Sequence, residues 1–135
     1  MNSKNIYNTV AIIGGGLIGS SLLLSIKENS LCKIIKIYDS NSDVREKLKK
    51  IIEPDNIFTN IEETVKNSDL VVLCIPVGSM EETAKKISKL LKVGCILTDT
   101  GSTKSSVIDD IKSHLSEKTF LQFKFSNCDQ FGSKF

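Results

Sequence analysis

The chain has 135 residues, 40% of them hydrophobic and 25% charged, with a formal net charge of +2. That length holds one domain with a real core and is short for a complete two-substrate enzyme. The near-neutral charge gives no pull toward nucleic acid or a membrane surface. No apolar run approaches the roughly 20 residues of a membrane span, and the opening MNSKNIYNT lacks the apolar stretch of a secretory leader. The expected compartment is the cytoplasm. Cys32, Cys74, Cys95 and Cys128 include no C-x-x-C pair and no histidine at zinc spacing, so no metal site is expected. Cys74 and Cys95 lie in apolar runs, where cysteine behaves as a small buried hydrophobe.

In chain order the pattern alternates strand and helix, which predicts an α/β fold of the Rossmann type: a doubly wound, mainly parallel sheet with helices on both faces. Val10–Ile13 is a short apolar run ending at glycines and reads as a buried first strand. Leu17–Lys27 follows as a nearly all-apolar helix packed on the sheet. Lys33–Tyr38 is the second strand and ends in Asp39. Ser42–Ile52 is an amphipathic helix with Val44, Leu48 and Ile51 at i, i+4 and i+7. Its Arg45, Lys47, Lys49 and Lys50 read as a solvated face. Glu53-Pro54-Asp55 ends that helix.

A short strand near Ile57–Phe58 and a short helix from Asn60 lead to Leu70–Ile75, a central parallel strand. Pro76-Val77-Gly78 turns the chain, and Ser79 with Glu82 makes a capping-box pattern before a helix with the buried stripe Met80, Ala84, Ile87 and Leu91. Gly94 closes that helix. Cys95–Thr98 is the fifth strand, ending at Asp99, and a helix over roughly Lys104–Leu115 turns Val107, Ile108, Ile111 and Leu115 inward. Phe120 begins a sixth strand.

Gly14-Gly15-Gly16-Leu17-Ile18-Gly19 satisfies G-x-G-x-x-G. It follows a strand, opens a helix, and has an acidic residue, Asp39, at the end of the second strand, twenty positions past Gly19. That whole context is the dinucleotide-binding fingerprint. Gly14 permits the tight turn, Gly16 lets a pyrophosphate reach the backbone N–H groups at the positive end of the helix, and Gly19 lets helix and strand approach. Asp39 is placed to accept hydrogen bonds from the adenosine ribose hydroxyls. Its carboxylate would repel a 2′-phosphate and no Arg or Lys directly follows it, so NAD is expected in preference to NADP. After the fourth strand, Cys74-Ile75-Pro76-Val77-Gly78 reads either as backbone lining the nicotinamide ribose or as a plain turn. After the fifth, Asp99-Thr100-Gly101-Ser102-Thr103-Lys104-Ser105-Ser106 brings a hydroxyl, a glycine and a cation to the same edge. Helix capping by Ser102 or Thr103 is compatible with a catalytic role there.

VAIIGGGLIGSSL, the YD that ends strand two, SDLVVLCIPV and DTGSTKSSV together resemble the nucleotide-binding domain of the prephenate dehydrogenase family, over roughly residues 8–120. DTGSTKSS matches that family's D-x-G-S-x-K motif. The resemblance implies an enzyme that oxidises prephenate with NAD or NADP and releases carbon dioxide to give 4-hydroxyphenylpyruvate on the route to tyrosine. It implies cofactor contacts at Gly14, Gly16, Leu17, Ile18, Gly19, Asp39, Ile75, Pro76 and Ser102. It also places Ser102 beside the ring hydroxyl, where it helps to orient the catalytic histidine. Lys104 matches the motif's lysine.

The pattern then departs from the family. Where H-P-x-A-G-(T/S)-E is expected, the chain reads Phe120-Leu121-Gln122-Phe123-Lys124-Phe125-Ser126. The single histidine, His114, flanks the apolar stripe of the preceding helix and reads as structural. Five of the six phenylalanines fall at or after position 120, with Leu121 the only Ile, Leu or Val among them. The expectation is a nucleotide-binding domain over residues 1–121 and a divergent tail over 122–135 from a truncated or frameshifted gene. The family's helical domain, which dimerises and closes over substrate, is expected to be absent. An unusual but functional C-terminus is the alternative. An arogenate or other related dehydrogenase, and a non-catalytic NAD-binding regulatory module, are the other functions compatible with the motifs. The Ser/Lys loop after strand five argues against the module.

Overall fold

A computed structural model describes residues 6–99 together with the backbone of the strand Phe120–Gln122. Six strands form one sheet: β1 Tyr7–Ile13, β2 Cys32–Tyr38, β3 Ile57–Phe58, β4 Leu70–Leu73, β5 Ile96–Asp99 and β6 Phe120–Gln122. Their order is β3-β2-β1-β4-β5-β6, and every pairing is parallel. This is the Rossmann order, in which the direction of winding reverses between β1 and β4.

The period-two geometry of a strand divides the core in two. Val10 and Ile12 of β1 face one side, where they meet Leu23 and Ile26 of α1 (Leu17–Glu28) and Leu48 of α2 (Ser42–Leu48). Ala11 and Ile13 face the other side, where they meet Val65 of α3 (Ile61–Val65) and Met80, Ala84 and Ile87 of α4 (Met80–Ile87). A strand buried on both faces needs apolar residues at successive positions, which is why VAII and LVVL are uninterrupted.

Asn41 caps α2 by accepting from the N–H groups of Asp43 and Val44, and Asn60 caps α3 by accepting from that of Glu63. Each such cap contributes about 1 kcal/mol.

Several boundaries differ from expectation. The second helix ends at Leu48, not Ile52, because the chain tightens into i to i+3 bonds from Lys49, Lys50 and Ile51 to Glu46, Lys47 and Leu48. Ile52 is still buried, so the apolar stripe is met by a turn instead of a further α-helical coil. The capping box at Ser79 does not form. Ser79 has helical φ and ψ (−101° and −4°), makes no side-chain cap, and closes a 3-10 turn, Val77–Ser79, that runs straight into α4. That helix ends at Ile87, short of Leu91. The expected helix at Lys104–Leu115, with Lys104 and His114, and the tail beyond Gln122 lie outside the described residues.

At the amino-terminal edge of the sheet, Asp69 ties three strands together. Its Oδ2 accepts from the backbone N–H groups of Asn8 (3.0 Å) and Thr9 (2.9 Å), and its Oδ1 pairs with Lys92 Nζ at 2.5 Å. Its backbone N–H donates to Thr9 and its carbonyl accepts from Ile96. The Lys92 hydrogen bond, with the two amide donors, holds the Asp69 carboxyl below the usual carboxylate range.

Candidate functional site

The glycine loop leaves β1 at its carboxyl end. Gly14 has φ +109°, a conformation that favours glycine, and an added Cβ there would run into the carbonyl oxygen of Cys74. A Cβ on Gly19 would run into the carbonyl oxygen of Gly14, which shows that α1 crosses the loop at backbone contact distance. Gly16, the N-cap of α1, is different: among the described residues nothing lies within 4 Å of the position its Cβ would take. The first turn of α1 has neither a side-chain cap nor an acidic residue. Among the described residues no side chain caps its backbone N–H groups, which stand at the positive end of a twelve-residue helix. This is a cradle suited to an anion.

Asp39, at the end of β2, faces this loop. Its Oδ2 accepts from the N–H of Gly15 at 2.8 Å and its Oδ1 from the N–H of Asn41 at 2.9 Å. The carboxylate thus locks the glycine loop to the end of β2. Each oxygen keeps a second lone pair with which to accept a hydroxyl.

Gly14, Gly16, Asp39, Ile75 and Pro76 line a single cavity of about 500 Å³. It opens beyond the carboxyl ends of β1, β2 and β4, at the point where the winding reverses. Gly19 is buried beneath the loop. Leu17 and Ile18 lie outside the cavity, 85% and 56% exposed, so the open side of α1 is apolar.

The structure adds a wall that the motif does not specify. Tyr38 and Ser40 flank Asp39, while Glu82, Thr83 and Lys86 of α4 stand opposite. Lys86 Nζ lies 3.7 Å from Glu62 Oε2. The sequence signal for this wall is the α4 stripe. Burial of Met80, Ala84 and Ile87 directs the neighbouring residues away from the core, and their meeting with Asp39 depends on strand order.

Cys95 is buried as expected, and burial pushes its thiol up to about 11. Cys74 instead is half-buried and lines the cavity. Cys128 lies outside the described residues. Among the described residues no cluster of acidic, Cys or His side chains could hold a metal ion, and no helix is long and apolar enough to cross a membrane.

The fifth strand reaches the same edge, with Asp99 paired in register with Leu73 and only 4% exposed. Asp99, the last residue of β5, therefore lies opposite the residue that precedes Cys74 of the cavity wall. Ser102 itself lies outside the described residues.

Comparison with known proteins agrees with this geometry. Residues 22–122 match the family described as prephenate dehydrogenase, nucleotide-binding domain. The chain is 36% identical over 110 residues to a cyclohexadienyl dehydrogenase of Zymomonas mobilis, covering 82% of this chain and 38% of that protein. It is 35% identical over 104 residues to a prephenate dehydrogenase of Lactococcus lactis, covering 74% of this chain and 28% of that one. Among solved structures, the prephenate dehydrogenase of Aquifex aeolicus in complex with hydroxyphenyl propionate and NAD+ superposes with a TM-score of 0.72 at 29% identity, over 83% of this chain and 40% of that one. The chain thus spans well under half the length of these relatives. With an all-parallel Rossmann sheet, an open glycine cradle and these matches, the chain belongs to the prephenate dehydrogenase family, of which it carries the nucleotide-binding domain.

Proposed function

We propose that this chain is the NAD-binding part of a dehydrogenase that oxidises and decarboxylates prephenate to 4-hydroxyphenylpyruvate, in tyrosine biosynthesis. The observation that carries the proposal is that, among the described residues, nothing fills the space over Gly16 or caps the first turn of α1, beside Asp39. Gly16 and the first turn of α1 receive the pyrophosphate. Asp39 accepts from the ribose hydroxyls of adenosine and favours NAD over NADP, while Ile75 and Pro76 line the cofactor's path toward the β4–β5 edge. Bound there, NAD supplies the hydride acceptor.

Ser102, three residues after Asp99 in the sequence, is proposed to contact the ring hydroxyl and the nicotinamide end. The Phe120–Ser126 stretch contains no histidine to take the hydroxyl proton. On this reading the isolated chain binds and orients the cofactor but turns over slowly or not at all. The three described cysteines are free thiols, which suits the reducing cytoplasm.

The test is an NAD titration of the purified chain, followed by an NADH assay with prephenate and, in parallel, arogenate. Saturable NAD binding with little turnover is the expected result. Failure to bind NAD would overturn the proposal. Rapid turnover would overturn the division of labour it assigns.

A further inference from the structure

From Leu17 to Ile26 the helix α1 carries no charged residue. Leu17, Ser21 and Leu24 fall at i, i+4 and i+7, with Ile18 beside them, and form its outward side. Leu17, Ile18 and Leu24 are 85%, 56% and 41% exposed, whereas Leu23 and Ile26 on the inner side are buried in the core. A helix at a protein surface turns polar residues outward, and one that is apolar all round is ordinarily covered.

The topology brings one segment of the chain to this face. β6 runs parallel to β1 and stands three strand spacings from it in the order β1-β4-β5-β6, so Gln122 ends at the sheet edge where Leu17 begins α1. The gap along the sheet is about 14 Å. Residues 123–135 follow directly, lie outside the described residues, and span up to about 43 Å when extended. They hold Phe123, Phe125, Phe131 and Phe135, with Lys124, Asp129 and Lys134 as their only charged side chains. Among the described residues the most exposed other aliphatics, Ile6 and Val93, precede β1 and β5 at the opposite edge, away from where β6 delivers the chain.

The size of the face selects a tethered occupant. Three aliphatic side chains fall well short of the about 800 Å² per partner that a stable interface between free proteins buries. A segment of the same chain needs far less, because a short flexible tether holds it at a millimolar effective concentration.

We propose that the phenylalanines of residues 123–135 pack over Leu17, Ile18 and Leu24, so that the tail is the outer cover of α1. The inference goes beyond the cofactor reading and does not depend on it.

The test places a thiol in the face by the substitution S21C in the full chain. Its alkylation by a maleimide is followed by mass spectrometry of the tryptic peptide that contains it. The same measurement is made with F123S, F125S, F131S and F135S added, and with K47C on the exposed side of α2 as a control for the fold. A tail seated for roughly nine-tenths of the time slows labelling about tenfold. S21C should therefore label about tenfold faster once the four phenylalanines are serine, and K47C should label equally in both backgrounds. L17S with L24S, which strips the face and leaves the tail, should raise S21C labelling to the same level. An S21C rate indifferent to either set of substitutions would overturn the proposal. Protection that is lost on dilution would assign the face to a second copy, and would overturn it equally.

Discussion

Two glycines three residues apart, Gly16 and Gly19, should respond to the same substitution in opposite ways. An Ala methyl at Gly19 would drive into the carbonyl oxygen of Gly14, with the carbonyl carbon at 2.9 Å and Cys74 Cβ at 3.5 Å. Carbon contacts are comfortable only near 3.5–4.0 Å, so the first turn of α1 must lift from the loop by about an ångström. The obstruction is backbone, which cannot rotate away, so the cost belongs at the upper end of overpacking, about 3 kcal/mol. Ala is a better helix former than Gly by about 1 kcal/mol, leaving a net loss of about 2 kcal/mol. For a chain of this size that lowers the melting temperature by roughly 8 °C.

At Gly16 an Ala methyl meets nothing within 4 Å among the described residues, and the backbone (φ −70°, ψ −157°) is extended and open to any residue. Stability should move by less than about 0.5 kcal/mol. The methyl does, however, fill the approach of the pyrophosphate to the N–H groups, and loss of about two charge-assisted hydrogen bonds should weaken NAD at least about tenfold. Thermal melts and NAD titrations of G16A and G19A check both halves. A G19A melt equal to the parent, or a G16A variant that keeps its NAD affinity, would refute the reasoning.

The Asp69 strap makes a pH-dependent prediction. Its folded-state carboxyl is held low, so its stabilisation is in place above the unfolded value of about 3.9 and is lost as pH falls through the folded value. D69N should cost about 1–2 kcal/mol at pH 7, since Lys92 loses a charged partner and an amide NH₂ can face the amides of Asn8 and Thr9. The gap between the two proteins in denaturant melts should narrow as pH falls below about 3.9, and a gap constant with pH would sink the explanation. Cys95, fully buried with its thiol raised to about 11, should resist iodoacetamide at pH 8 in the folded chain and react once unfolded. Mass spectrometry of the labelled peptide reads the result, and rapid native labelling would contradict the burial.

The strands were legible because each is a local run: VAII and LVVL are apolar at successive positions, as strands covered on both faces must be. The glycine loop was legible for a related reason, since turn, cradle and helix approach are all encoded within six residues. Asp39 was found by spacing, but its hydrogen bonds to Gly15 and Asn41 were not, because they depend on how β2 lies beside β1. Arg45 was read as one charge on a solvated face, and only the curl of α2 toward the end of β2 brings it to the carbonyl of Asp39. The Ser79 capping box failed for a local reason: the pattern S-x-x-E is necessary for that motif, but a 3-10 turn immediately before it removes the extended N-cap conformation.

The sheet has a fastened end and an open end. Asp69 and Lys92 bind the starts of β1, β4 and β5 into one knot. At the opposite end, Asp39 ties the glycine loop to the end of β2 through Gly15 and Asn41. Such a polarity lets the molecule exchange chemistry without renegotiating its architecture. Loops at the open end can be lengthened, retuned for another cofactor or joined to a new substrate-holding module while the strands stay in register, held from behind.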